Sequence, residues 1–421
     1  MIEFLHSLNK KEKGLYALFL LFFITLFFAQ LSALSSNLAG LLVIYSFSIG
    51  SLQEKWLTFK KRFDLQAMLA FFLLLVVSTL VSDDVPMGLH HLKIRLPLFA
   101  FPISIGLLKL REDFKENVLL SYATITTLVC LLCLGSSIHT AYSASRTDYL
   151  YNDALTGLIR QQSIYVALAV NLAIYIFAKA IFFQNTKHPF KMLLAVVFLF
   201  AFSYLLASRI MFAVLVAATL CFSFYYILQK RKYLEGATLV LGLVIGTVVI
   251  NKLLPSTFNR YKELTYQRFD FESKGPESHY NMAITPDQWN GANFRLAAWT
   301  CGWEVFQSSP ITGVGVGDKD EVLREKYREK KFHMALQTDK NVHSNYLDVL
   351  FSTGVMGFLV FLLAWVLLPL GQAYRTGNAL ALVFLLTFYT AWITEVYFGK
   401  NFGTMLAGFF IPFVLLNSNK K

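Results

Sequence analysis

Lys340-Asn341-Val342-His343-Ser344-Asn345-Tyr346-Leu347 is the stretch where a long polar segment gives way to a membrane helix, and its reading decides the fold. Behind it, residues 255–345 hold 12 basic and 12 acidic side chains. Ahead of it, residues 346–370 are almost wholly apolar. A charged segment of that length stays out of hydrocarbon, whereas the run that follows is long enough to cross it as a helix. His343 therefore stands where an aqueous loop re-enters the bilayer. Imidazole is the side chain whose ordinary pKa lets it take a proton near neutral pH. A base at that surface suits a substrate with one part in lipid and its reacting part in water.

The remainder of the chain agrees with a membrane setting. Of 421 residues, 56% are hydrophobic and 15% charged, with 40 Phe and 20 Tyr, and the mean hydropathy is +0.53. These values define a polytopic membrane protein. The net charge of +12 does not point to nucleic acid, because the polar loop is neutral and the excess sits in short connections between apolar runs. Cys130 and Cys133 share one face of an apolar helix, Cys221 is also within a helix, and Cys301 is alone in the loop, so they read as small apolar residues rather than a redox or metal set.

The expected fold is all-α, with about 12 transmembrane helices by the ~20-residue spanning rule. The runs are 14–34, 38–53, 65–82, 94–109, 117–139, 161–183, 190–208, 211–229, 236–254, 346–370, 378–398 and 402–418. The first has too long an apolar run for a signal peptide and lacks a small-x-small cleavage site, so it is expected to remain as a span. Alternate connections carry 18 and 6 Lys/Arg, which puts both termini in the cytoplasm and the long loop outside. The organisation expected is a membrane domain 1–254, a large periplasmic loop 255–345 and three further spans in 346–421.

Within the loop, Asn293–Gln307 reads as a helix with Leu296, Trp299, Trp303 and Phe306 on one stripe, closed by Pro310 and lying at the membrane surface. Asp318–Phe332 reads as a second helix, with Asp320/Arg324 and Glu325/Arg328 as intrahelical pairs. Its apolar stripe is thin, so it is read as a solvated, mobile lid element.

Costly charges near the membrane are the candidates for chemistry. Arg209 sits in Leu205-Leu206-Ala207-Ser208-Arg209-Ile210-Met211, a turn between two apolar runs, where it either anchors the helix ends or meets an anion. Arg295 opens the Trp-bearing helix and either binds lipid headgroups or joins Arg209. Guanidinium forks suit phosphate oxygens, so a lipid pyrophosphate is the natural ligand of the pair. Lys93 and Arg95, after Asp83-Asp84 and His90-His91, extend the possible phosphate-binding surface. His343 has a bland alternative, capping the next helix, but Ser344 or Asn345 serves that purpose better. No spaced metal-ligand set supports a metal at His90-His91. Gly313-Val314-Gly315-Val316-Gly317 follows Pro310 rather than a strand and reads as a turn, not a nucleotide loop.

The order of these pieces resembles the O-antigen ligase and O-antigen polymerase superfamily of bacterial envelope glycosyltransferases. The likeness rests on Ser208-Arg209, on Arg295-x-x-x-Trp299 followed by Pro310-Ile311-x-Gly313-x-Gly315, and on His343-Ser344-Asn345-Tyr346-Leu347 followed by Gly354-x-x-Gly357. Ser344 separates His343 from Asn345, a departure from the family's His-Asn-x-Leu pattern. The resemblance implies an inner-membrane enzyme that needs no metal or cofactor. Its donor is a glycan on undecaprenyl pyrophosphate and its acceptor a sugar hydroxyl of lipid A core, with membrane lipids as neighbours and no nucleic acid. His343 orients or deprotonates the acceptor, Arg209 and Arg295 neutralise the departing pyrophosphate, Lys93 and Arg95 assist at the donor headgroup, and the anomeric centre inverts. A polymerase joining lipid-linked repeats shares this logic; the single late loop favours the ligase. A metal-dependent oligosaccharyltransferase resembles other members of its class in using an acidic first outer loop, and residues 33–37 contain no acid. A lipid-glycan transporter should carry charges through mid-membrane, not at one surface.

Overall fold

A computed structural model describes residues 2–184, 186, 188–231, 233–234, 236–238, 240–242, 248, 267–273, 275 and 288–416. Among these the chain is helical, without a β-strand. The first half forms α1 (Lys10–Leu26), α2 (Ser32–Ser46), α3 (Leu52–Lys61), α4 (Phe63–Leu80), α5 (Val85–Arg95), α6 (Glu112–Ala144), α7 (Ser163–Phe183), α8 (Pro189–Leu205) and α9 (Arg209–Lys230). The second half adds α10 (Asn293–Ser308), α11 (Lys319–Glu329), α12 (His333–Gln337), α13 (Asn345–Leu362), α14 (Leu368–Arg375), α15 (Ala379–Thr394) and α16 (Asn401–Val414). The stretches Phe63–Leu80, Glu112–Ala144, Ser163–Phe183 and Asn345–Arg375 are long and apolar enough to cross a membrane by length and composition, and the other apolar helices are shorter. The expected ninth span, 236–254, lies largely outside the described residues, as do 255–266 and 276–287 of the loop.

Aromatic packing explains how these helices close on one another. Phe19, Phe22 and Phe23 of α1, Tyr122 of α6, and Phe409 and Phe410 of α16 are all essentially fully buried. Their rings meet edge to face, with centroids 4.5 Å apart for Tyr122–Phe410 and 5.3 Å for Phe23–Phe409, a geometry that adds about 0.5–1.5 kcal/mol per pair beyond burial. A second, smaller core joins Trp289, Phe294, Cys301, Leu323, Tyr327, Phe332 and Val342 with Phe351 and Val396, so the loop helices pack onto the bundle at the ends of α13 and α15.

Several expected elements end elsewhere. The first run stops at Leu26 and turns through Phe27–Leu31, where Ala29 N–H donates to the Ile159 carbonyl; an unbroken apolar run hides that turn from the sequence. The expected span 94–109 is not one helix but breaks at Pro97 and again beyond Ala100, as proline's missing N–H requires. α11 is not a solvated element: Lys319, Leu323 and Tyr327 are buried. Its expected pairs also differ, because Asp320 faces His91 and Lys319, while Arg324 and Arg328 both hold Glu321.

The Pro/Gly turn has a structural purpose. α13 is broken at Gly354, whose φ is 65° and ψ −173°. The segment 310–317 passes through the break: Val314 and Gly315 N–H donate to the Phe351 and Ser352 carbonyls at 2.9 and 3.0 Å, and Val355 N–H donates to Pro310 at 2.9 Å. Polar backbone freed by the break is thereby satisfied. A Cβ on Gly313 would lie 2.4 Å from Thr353 N, which explains why a side chain is missing there. Beyond the turn, the Asp318 carboxylate accepts from the Asp83 and Asp84 amides at 2.9 and 2.7 Å, stitching the turn to the α4–α5 corner.

Candidate active site

Ser344 caps α13, its Oγ accepting from Leu347 N–H at 3.4 Å, which leaves His343 outside the helix. His343 adopts a left-handed backbone, φ 49°, supported by its own amide donating to Asn341 Oδ1 at 2.8 Å, an Asx turn. Trp299 Nε1 donates to the His343 carbonyl at 3.3 Å. Phe294 stands edge-on to the imidazole with centroids 5.6 Å apart. Both flanking residues come from α10, so the Arg/Trp helix packs along the histidine.

The partner of His343 is Glu395, which the sequence reading passed over. His343 Nδ1 lies 2.9 Å from Glu395 Oε2. Glu395 is 6% exposed and its other oxygen accepts from Val396 N–H at 3.0 Å. Burial alone pushes this carboxyl up, but His343 beside it, then Arg295 and the Val396 amide, bring it down to about 2. An ionised Glu395 at Nδ1 fixes the tautomer with the proton on Nδ1 and leaves Nε2 as the acceptor. Among the described residues Nε2 makes no hydrogen bond. The sequence signal was present: Glu395 is the only Asp or Glu after Asp348. It was lost because the expected span 378–398 ran through it, whereas α15 ends at Thr394 and Glu395 is extended, φ −157°.

Arg209 and Arg295 meet at Gly291. A Cβ there would lie 3.1 Å from Arg295 Nη1 and 3.2 Å from Arg209 Nη2, so both guanidinium groups border this glycine. Arg209 is the first residue of α9, after a turn through Ala207 at φ 53°. Arg295 donates through Nε to the Thr394 carbonyl at 3.0 Å, next to Glu395, and through Nη1 to Gly291. The structure thus brings together three of the five site residues expected from sequence.

Arg95 and Lys93 are placed differently. Lys93 is exposed, whereas Arg95 is 1% exposed. Arg95 Nη2 donates to Asp348 Oδ2 at 2.8 Å and Nε to the Phe398 carbonyl at 3.3 Å. Lys319 holds the other Asp348 oxygen. Asn345 Oδ1 accepts from Phe398 N–H at 2.9 Å, so this cluster fastens the start of α13 to the segment after Glu395. His91 lies 3.1 Å from Asp320 beside it, and Lys319, His91 and Arg95 outweigh burial to hold the Asp320 carboxyl well below its usual range. Among the described residues no group of three or more His, Cys, Asp or Glu is arranged to hold a metal.

Among the described residues, apolar helices suited to a membrane and a histidine–carboxylate pair beside two arginines define the class of the protein. Residues 194–362 match the family described as O-antigen ligase, a match that supports a place in the O-antigen ligase/polymerase superfamily. The matched segment contains Arg209, Arg295 and His343, and ends before Glu395. No curated protein matches the chain. The matched family is one of glycosyltransferase-like enzymes of lipid-linked glycans.

Proposed function

We propose that this protein moves a glycan from undecaprenyl pyrophosphate to a sugar hydroxyl of lipid A core, without metal and with inversion. The donor oxygens bind between Arg209 and Arg295. The acceptor hydroxyl lies at His343 Nε2, and its oxygen attacks the anomeric carbon as its proton passes to Nε2. The bond from that carbon to the pyrophosphate oxygen breaks with its electron pair, and the arginines neutralise the charge that develops. Glu395 stabilises the imidazolium. The reaction runs at the periplasmic face of the inner membrane, on a chain of about 12 spans by the ~20-residue rule, with both termini in the cytoplasm and 255–345 as the large outer loop. Arg95 acts as a clamp, and Lys93 remains available to a donor headgroup.

The observation that supports this reading most is the 2.9 Å contact of His343 Nδ1 with Glu395, next to both arginines at Gly291. The test is the glycolipid profile of a deletion strain, complemented with wild type or His343→Ala. The expected result is bare lipid A core with long glycan accumulated on undecaprenyl pyrophosphate, rescued by wild type alone. Core capped by a single repeat unit makes the protein a polymerase, and normal transfer by His343→Ala removes the base assignment.

A further inference from the structure

At the end of the bundle away from His343 lies a cavity of about 400 Å³, lined by Glu112, Lys115, Glu116, Lys179, Asn378 and Leu380 among others. It is separated from the site by the length of α13 and α14, since Thr376 at its rim follows Arg375. The helix termini around it, the start of α6 and of α15 and the end of α16, place it where apolar helices meet the headgroup layer.

We propose that this cavity binds the headgroup of a zwitterionic phospholipid bearing a primary ammonium, of the phosphoethanolamine type. Its lining holds two ammonium and two carboxylate groups, so a lone anion meets Glu112 and Glu116 and a lone cation meets Lys115 and Lys179. A ligand carrying both charges within one headgroup satisfies both. The internal pairing leaves room for it. Lys179 stands 3.5 Å from Glu116, whose Oε1 also accepts from Gln184 Nε2, and 4.0 Å from Glu112, longer than the ~2.7–2.9 Å of a closed charge-assisted bond. Glu112 Oε2 is buried without a hydrogen-bond partner among the described residues, a costly state that an entering ammonium relieves. Lys115 is anchored on the Val414 and Leu416 carbonyls at 3.0 and 3.1 Å, which fixes its charge at the cavity wall. The phosphate sits by Lys179 and Lys115, the ammonium by Glu112 and Glu116, and the acyl chains leave past Leu119 and Leu380.

The test is native mass spectrometry of the full chain in detergent with dioctanoyl phosphatidylethanolamine, phosphatidylglycerol and phosphatidylcholine. Phosphatidylethanolamine should be retained roughly tenfold better than either of the others, the effect expected for one charge-assisted hydrogen bond. Glu112→Gln should abolish that preference, Lys179→Gln should weaken retention of all three lipids alike, and inorganic phosphate should not displace the lipid. Equal retention of the three lipids, displacement by phosphate, or an unchanged preference in Glu112→Gln would each overturn the proposal. Should Lys179→Gln not fold, the near-isosteric Glu112→Gln decides alone, with its thermal midpoint as the folding control. Glycan transfer does not enter the readout, so the outcome is independent of the function proposed above.

Discussion

Arg95 and Arg295 look alike in the sequence, each a cation expected at the outer membrane surface, and they end in opposite circumstances. Arg95 is 1% exposed and Asp348 2%, with Lys319 closing the other carboxylate oxygen. That cluster is sealed, and its cations face Asp348 and backbone, although Arg95 Nη1 is buried without a hydrogen-bond partner among the described residues. Arg295 is half-buried. It shares Gly291 with Arg209, and the described carboxylate beside it, Glu395, also faces His343. Two guanidinium groups and a histidine converge at a partly open surface, a donor set that suits an anionic reactant. Burial, not charge alone, divides a clamp from a binding site.

The largest effect should come from the pair that defines the open site. Glu395→Gln keeps the size of the side chain but removes the charge that orients His343 and stabilises its protonated form. Transfer of glycan by purified protein should fall by about 10²-fold or more, within the range for general-base catalysis, with little change in donor KM. A Glu395→Gln enzyme with normal turnover would return His343 to a structural role and erase the contrast.

At the sealed cluster the effect should fall on stability. Arg95→Met leaves Asp348 buried against Lys319 alone, and breaking a buried pair costs about 3–5 kcal/mol. The thermal midpoint in detergent should drop, and donor KM should stay unchanged for the protein that remains folded. An unshifted midpoint with a raised KM would move Arg95 into the phosphate-binding set beside Arg295.

Gly354→Ala tests the joint between the two regions. The residue sits at φ +65°, and an added Cβ would lie 2.2 Å from the Ile311 carbonyl oxygen. A strained backbone of this kind costs about 1–3 kcal/mol and the clash with backbone adds to it, so the thermal midpoint should fall clearly. An unchanged midpoint would mean that the 310–317 segment does not need to lie in the break.

Acid should separate the site from the rest more gently. Glu395 titrates near 2 in the folded protein, below its ordinary value of 4.5. A depressed carboxyl contributes stability that is complete above the unfolded value and is lost as pH falls through the folded one. Thermal midpoints of wild type and Glu395→Gln measured from pH 6 down through about pH 2 should therefore converge in the acid half of that window. Parallel curves would mean that Glu395 gains nothing from its charge.

The helical fold class and the three residues that the structure brings together were legible because apolar runs and polar interruptions carry that information directly. Arg209, Arg295 and His343 each mark a place where a polar group interrupts or borders an apolar run. What could not be read were facts of tertiary approach. Glu395 looked like part of a span because no turn residue precedes it in Trp392-Ile393-Thr394-Glu395. Arg95 looked exposed because its partners, Asp348 and Phe398, are more than 250 residues away. The break in α13 was legible only as a glycine, since its cause is the distant turn at 310–317 that enters it. Periodicity describes one helix at a time, and these three features each need two.

The smallest effect is expected on the outward face of α11, where the sequence offered intrahelical ion pairs. Arg324 bonds Glu321 and Asp339 at 2.6 and 2.8 Å, yet its side chain is 39% exposed and theirs 53% and 82%. Exposed pairs give up side-chain entropy to hold their geometry and are screened by salt, so their net worth is near zero. Arg324→Ala should leave both thermal midpoint and glycan transfer as in wild type, because Leu323 and Tyr327, on the inward face of the same helix, carry the docking. A marked loss of transfer with an unshifted midpoint would show that this face meets substrate, and α11 would then join Arg295 on the open side of the comparison.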